Sequence, residues 1–180
     1  MPDLGNPLRL VYDAIWDCLE SKDDFIVLFP NDGIHQVRYD PTNDLAPEPD
    51  LYEPAPGDYP RCRIVYEAAG GINPNTPAYG PNSNRSVLLM KFRIEVCTGA
   101  QPQGILMDAA WAIYRGLSTW KTNLRNTVTW NSLPIVTYLD LVTMQFTDEN
   151  KDRNRGTNQW IGLFEPIVLL DFSSSDLENN

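Results

Sequence analysis

Residues 86–120 read SVLLMKFRIEVCTGAQPQGILMDAAWAIYRGLSTW, and a change of period inside this stretch decides the fold. Over 86–97 the apolar residues fall on every second position. Leu88, Met90, Phe92, Ile94 and Val96 share one face, with Lys91, Arg93 and Glu95 on the other. That alternation is the mark of a strand covered on one side. From Leu106 the spacing becomes i, i+4, i+7, i+11, i+14 through Ala110, Ile113, Leu117 and Trp120, the stripe of a helix lying on a sheet. Despite its tryptophan, the stripe reads as core rather than as a ligand site.

The connector between the two, GAQPQGIL at 99–106, has the Gly-x4-Gly spacing of a phosphate-binding loop in Gly99 and Gly104. Such a loop works through a Lys that reaches the terminal phosphates and a Ser or Thr hydroxyl that ligates magnesium. Ile105 and Leu106 occupy those two positions. Neither carries charge or holds a metal, so the segment reads as a turn, with Gly99 closing the strand. No nucleotide or other cofactor is expected.

Towards the N-terminus, Asn6-Pro7 reads as a cap followed by a helix-starting proline, and Leu8, Val11, Ile15 and Leu19 recur at helical spacing up to about Lys22. FIVLFPNDGIHQVRYD at 25–40 offers a short apolar run, an Asn-Asp-Gly turn and a weak strand around Gln36 to Tyr39. The proline-rich, acidic segment 41–60 does not suit a sheet interior and reads as an extended surface arm. RCRIVYE at 61–67 alternates again, with Cys62, Ile64 and Tyr66 on one face, before the irregular stretch AAGGINPNTPAYGPNSN at 68–84.

Beyond the helix, a short strand at Thr127 to Trp130 and a turn at Asn131 to Pro134 lead into two long strands, Ile135 to Thr147 and Trp160 to Phe172. They are about twice the usual five or six residues and are joined by DENKDRNRGTNQ at 148–159. Pro166 places its strand at an edge or a bulge. The tail at 173–180 is polar and expected to fray. The sum is one α+β domain over 1–180, with two helices packed on one face of a mainly antiparallel sheet, a long C-terminal hairpin and long proline-rich loops.

Composition narrows the function. Fourteen basic against 24 acidic residues give a formal charge of -10, the wrong sign for a protein that grips nucleic acid by neutralising phosphates. The apolar runs FIVLF and IVLL are too short to span a bilayer, and the N-terminus lacks a signal-peptide pattern, so a soluble chain with no membrane partner is expected. Cys18, Cys62 and Cys97 form no C-x-x-C pair and read as core thiols. His35 is the one histidine, which leaves no His/Cys metal cluster and no Ser-His-Asp set to nominate. An enzyme is therefore not expected.

The pieces NPLRLVYDAIWDCL, YPRCRIVYE, SVLLMKFRIEVCTG, ILMDAAWAIYRGL and the hairpin IVTYLDLVTMQFTDEN with QWIGLFEPIVLLDF follow one another in an order that resembles the tail terminator or tail completion proteins of tailed bacteriophages. The resemblance covers nearly the whole chain and is one of pattern. It implies a structural virion protein, made in the host cytoplasm, that closes into a ring with itself, six-fold in that family. The ring sits on the tail tube protein, stops elongation and offers a docking surface to the head-completion or neck protein. DNA would pass nearby without specific binding. A neighbouring neck or head-completion protein of the same fold is the second identity implied, and a small cytoplasmic ligand-binding protein or enzyme is the remaining class.

For the contacts of such a ring, the hairpin tip is the sequence's candidate. Asp148, Glu149 and Asp152 alternate with Lys151, Arg153 and Arg155, charges able to pair across a subunit joint and fix its register.

Overall fold

The computed structural model describes residues 7–38, 57–72, 85–99, 103–120, 129–130, 133–134, 136–148 and 160–173. The arm at 41–56, the loop at 73–84, the hairpin tip at 149–159 and the tail at 174–180 lie outside the described residues.

Helix α1 runs over Pro7–Glu20. Its Val11, Ile15 and Leu19 are fully buried, as their spacing predicts. The apolar run that follows is a second, short helix, α2 at Asp23–Leu28. Asp23 and Asp24 in its first turn suit the positive end of a helix, and Phe25 and Phe29 are buried one turn apart. Pro30 disfavours helical backbone at Phe29 and ends the element.

Five strands form one sheet in the order β1-β2-β3-β7-β6. β1 is only Gln36–Val37, and its pairing with β2 (Arg61–Ile72) is parallel, so the sheet is mixed though mostly antiparallel. β3 spans Arg85–Cys97, β6 Val136–Asp148 and β7 Trp160–Ser173. A separate two-stranded ladder joins β4 (Thr129–Trp130) to β5 (Leu133–Pro134).

One reading changes. The stretch 68–72, expected to be irregular, continues β2: the register shifts between Tyr66 and Ala68, after which Ala68 to Ile72 pair with Lys91 to Val87. Small residues there hide the alternation that a strand would otherwise show. Of the two placements expected for Pro166, an edge or a bulge, the second is found: its strand is interior, and the partner strand is irregular opposite it. Its missing N–H is accommodated because the β3 ladder skips from Lys91↔Ile167 to Ile94↔Phe164, and β6 shifts register between Leu141 and Thr143 opposite Pro166.

Helix α3 occupies Gln103–Ser118 and lies against β3, β6 and β7 while packing on α1 and α2. The main core joins Ile15, Trp16 and Leu19 of α1 to Ile113 and Leu117 of α3 and to Met90, Phe92, Ile94, Phe164 and Val168 of the sheet. Leu106, Ala110, Ile113, Leu117 and Trp120 are all buried, as the stripe predicts. At the strand-to-helix connector, Gly99 has φ 58°, a left-handed conformation that side chains resist. A Cβ at Gly99 would also come within 2.6 Å of the Tyr59 ring. Among the described residues, that glycine seats a tyrosine.

Candidate interaction surface

Of the hairpin residues singled out by sequence, Asp148 is the last residue of β6 and pairs with Trp160. Glu149, Lys151, Asp152, Arg153 and Arg155 lie outside the described residues.

The structure draws attention instead to the outer side of α3. A helix over 103–118 buries the stripe through Leu106, Ile113 and Leu117, yet Met107, Trp111 and Tyr114 form a second apolar row at i, i+4, i+7. These three are 59%, 60% and 51% exposed. The Trp111 and Tyr114 rings stack at 5.8 Å with an interplanar angle of 21°, which fixes them as one flat aromatic plate. On the flank of the row, Arg115 Nη1 donates to Asp24 Oδ2 at 2.8 Å and ties α3 to α2. α2 adds its own exposed Ile26 and Val27. Single exposed apolar residues need no explanation, but a helical row of Met, Trp and Tyr has the composition of a protein-binding hot spot. The sequence holds the signal: subtracting the core stripe from α3 leaves Met107, Trp111 and Tyr114 one turn apart.

On the sheet, the charged residues predicted for one side of β3 do not face water freely. Lys91 Nζ lies 3.1 Å from Glu67 and 3.3 Å from Glu165, and Arg93 Nη1 lies 2.7 Å from Glu67. Glu95 is buried between Arg93 and Arg63, both at ion-pair distance. Hydrogen bonds from Lys91 to Glu67 and Glu165 raise the lysine pKa above its ordinary value. The ladder binds β2, β3 and β7 together. It satisfies its own charges, which leaves little for a ligand.

Among the described residues, His35 and Cys62 do not form a nucleophile–base pair. Cys62 N donates to His35 O at 2.8 Å, so the two residues adjoin along the backbone. The imidazole, however, holds Asp32, with Nδ1 2.7 Å from Oδ2, while Cys62 is fully buried in the core. Burial raises the Cys62 thiol and pushes that of Cys18 to about 12, so both stay protonated near neutrality. Among the described residues, no group of three or more His, Cys, Asp or Glu side chains is arranged to hold a metal ion.

Neither protein-family models nor curated proteins yield a match to this chain.

Proposed function

We propose that the protein is a structural component of a tailed-phage virion, a ring-forming tail terminator that ends the tail tube and joins it to the head. The observation that carries an assembly role is the exposed Met107, Trp111 and Tyr114 row. An apolar plate on a helix that already buries its other side serves a macromolecular partner rather than a small molecule. The choice among assembly proteins rests on the resemblance in element order. In this reading α1 and α3 cover one face of the sheet, and the charged segment that joins β6 to β7 supplies contacts to a neighbouring subunit. The formal charge of -10 suits a channel wall that must let DNA pass without holding it.

Imaging of particles and of the purified chain tests the proposal. Particles made without the protein are expected to carry overlong tails that fail to join heads. Added back with tail tubes, the protein is expected to cap their ends as a closed ring of several copies. A mature particle holding a single copy at the joint would overturn the ring.

A further inference from the structure

We infer that the outer row of α3 is a self-association face, on which two copies of this chain pair their α3 helices antiparallel about a two-fold axis near Trp111. This inference stands apart from the ring, because a two-fold contact closes at two copies while a ring needs head-to-tail contacts. The argument is the arrangement of side chains about residue 111. Gly104 and Ser118 lie seven residues to either side, and both are exposed. Met107 lies four residues before and Tyr114 three after, both exposed. An antiparallel copy therefore lays small residues against small ones at the two ends and apolar ones against apolar ones between them. A Cβ at Gly104 would meet nothing within 4 Å, so the partner's approach at that end is open.

Charge selects the antiparallel sense. Asp108 lies three residues before Trp111 and Arg115 four after, on the same flank of the row, and both are exposed. A two-fold axis keeps each flank on its own side, so Asp108 of one copy comes level with Arg115 of the other, twice over. A parallel pair, whose two-fold axis runs along the helices, would exchange the flanks and set Asp108 and Arg115 against the partner's Met107 and Tyr114. Arg115 bonds Asp24 within its own chain, yet its side chain remains 47% exposed and its guanidinium offers five donors, enough for a second carboxylate. One helix pair covers less than the roughly 800 Å² per partner of a standard interface, so the dimer is expected to be weak and concentration-dependent.

Sedimentation of the full chain from about 5 to about 500 μM at low salt tests the inference, since a dissociation constant in that range places both species in view. The expected result is a monomer–dimer equilibrium that Trp111→Glu shifts at least roughly tenfold towards monomer without lowering the unfolding midpoint. Asp108→Arg and Arg115→Asp are each expected to weaken pairing, and mixing these two variants is expected to restore it as a heterodimer. A merely misfolded monomer would not recover on mixing. A wild-type monomer throughout the range overturns the inference. So does an assembly whose mass survives Trp111→Glu, or a mixture of the charge variants that pairs no better than either alone.

Discussion

Gly116 of α3 lies directly against Leu19 of α1: a Cβ there would stand 3.0 Å from Leu19 Cδ2, 3.1 Å from its Cα and 3.3 Å from the Cys18 carbonyl oxygen. The two helices approach as closely as they do because position 116 has no side chain. Glycine inside a helix costs about 1 kcal/mol of propensity relative to alanine, so Gly116→Ala would stabilise α3 taken alone. In the folded chain, backbone atoms of α1 block the methyl, and crowding of this kind costs about 1 to 3 kcal/mol. The expected net result is a lower unfolding midpoint, measured by calorimetry. A raised midpoint would mean that α1 can move aside.

The two rows of α3 are expected to answer mutation in opposite ways. Ile113 is fully buried, whereas Trp111 is 60% exposed. Ile113→Ala removes packed methylenes and is expected to cost ~2 to 5 kcal/mol. Trp111→Ala, on the open side, is expected to stay within about 0.5 kcal/mol. Paired denaturant titrations check both, and similar losses at the two positions would show that α3 turns a different side to the core.

Native cysteines are expected to be silent to thiol reagents. Cys18, Cys62 and Cys97 are all buried, and burial keeps the Cys18 and Cys62 thiols protonated. Titration with a chromogenic disulfide at pH 8 should release almost no colour until denaturant is added, after which three thiols should react. A fast-reacting thiol in the native protein would contradict this burial.

Much of this fold could be read from alternation and spacing. Met90, Phe92, Ile94 and Val96 announce β3 because one side chain in two meets the core, and Leu106, Ile113 and Leu117 announce α3 because one turn in one does. What resisted reading has physical causes. In FIVLF the buried Phe25 and Phe29 are separated by Ile26 and Val27, which are apolar but exposed, so composition masks a helical period. β1 has two residues, too few for any period, and its parallel pairing is set by tertiary contact. The outer α3 row is as apolar as the inner one, and only the packing of α1 and the sheet tells which is covered. Of the hairpin-tip set, Asp148 is in the ladder and the others lie outside the described residues.

Acid should loosen the turn at Asp32. The His35 backbone N–H and imidazole, with the Ile34 N–H, hold this carboxylate's pKa down to about 2 from an ordinary 3.8. A carboxyl lowered on folding contributes stability that is fully present above its unfolded value and is lost as pH falls through the folded one. The wild type is therefore expected to exceed Asp32→Ala in unfolding midpoint near pH 6, with the gap closing as pH falls from about 4 to about 2. A gap that stays constant over this range would mean that the carboxylate's charge plays no part in the turn.

The segment joining β6 to β7 is expected to be a docking element rather than an idle connection. β6 and β7 are paired from Val136↔Leu170 to Asp148↔Trp160 in the described strands. A core-completing hairpin would manage with a short turn. This one instead joins its strands through Glu149, Lys151, Asp152, Arg153 and Arg155, alternating charges of the kind that set register between subunits. Replacing Asn150 to Thr157 with a short glycine-containing turn is expected to leave the unfolding midpoint within about 0.5 kcal/mol of wild type, because the pairs from Val136↔Leu170 to Asp148↔Trp160 are all kept. The same variant is expected to fail at capping tail tubes and joining tails to heads. Salt should weaken wild-type joining in parallel, since exposed pairs are screened over about 8 Å at physiological ionic strength. If the deletion variant joins tails to heads at the wild-type rate, the tip is a connection only, and the docking contacts of the proposed ring must be sought elsewhere on the chain.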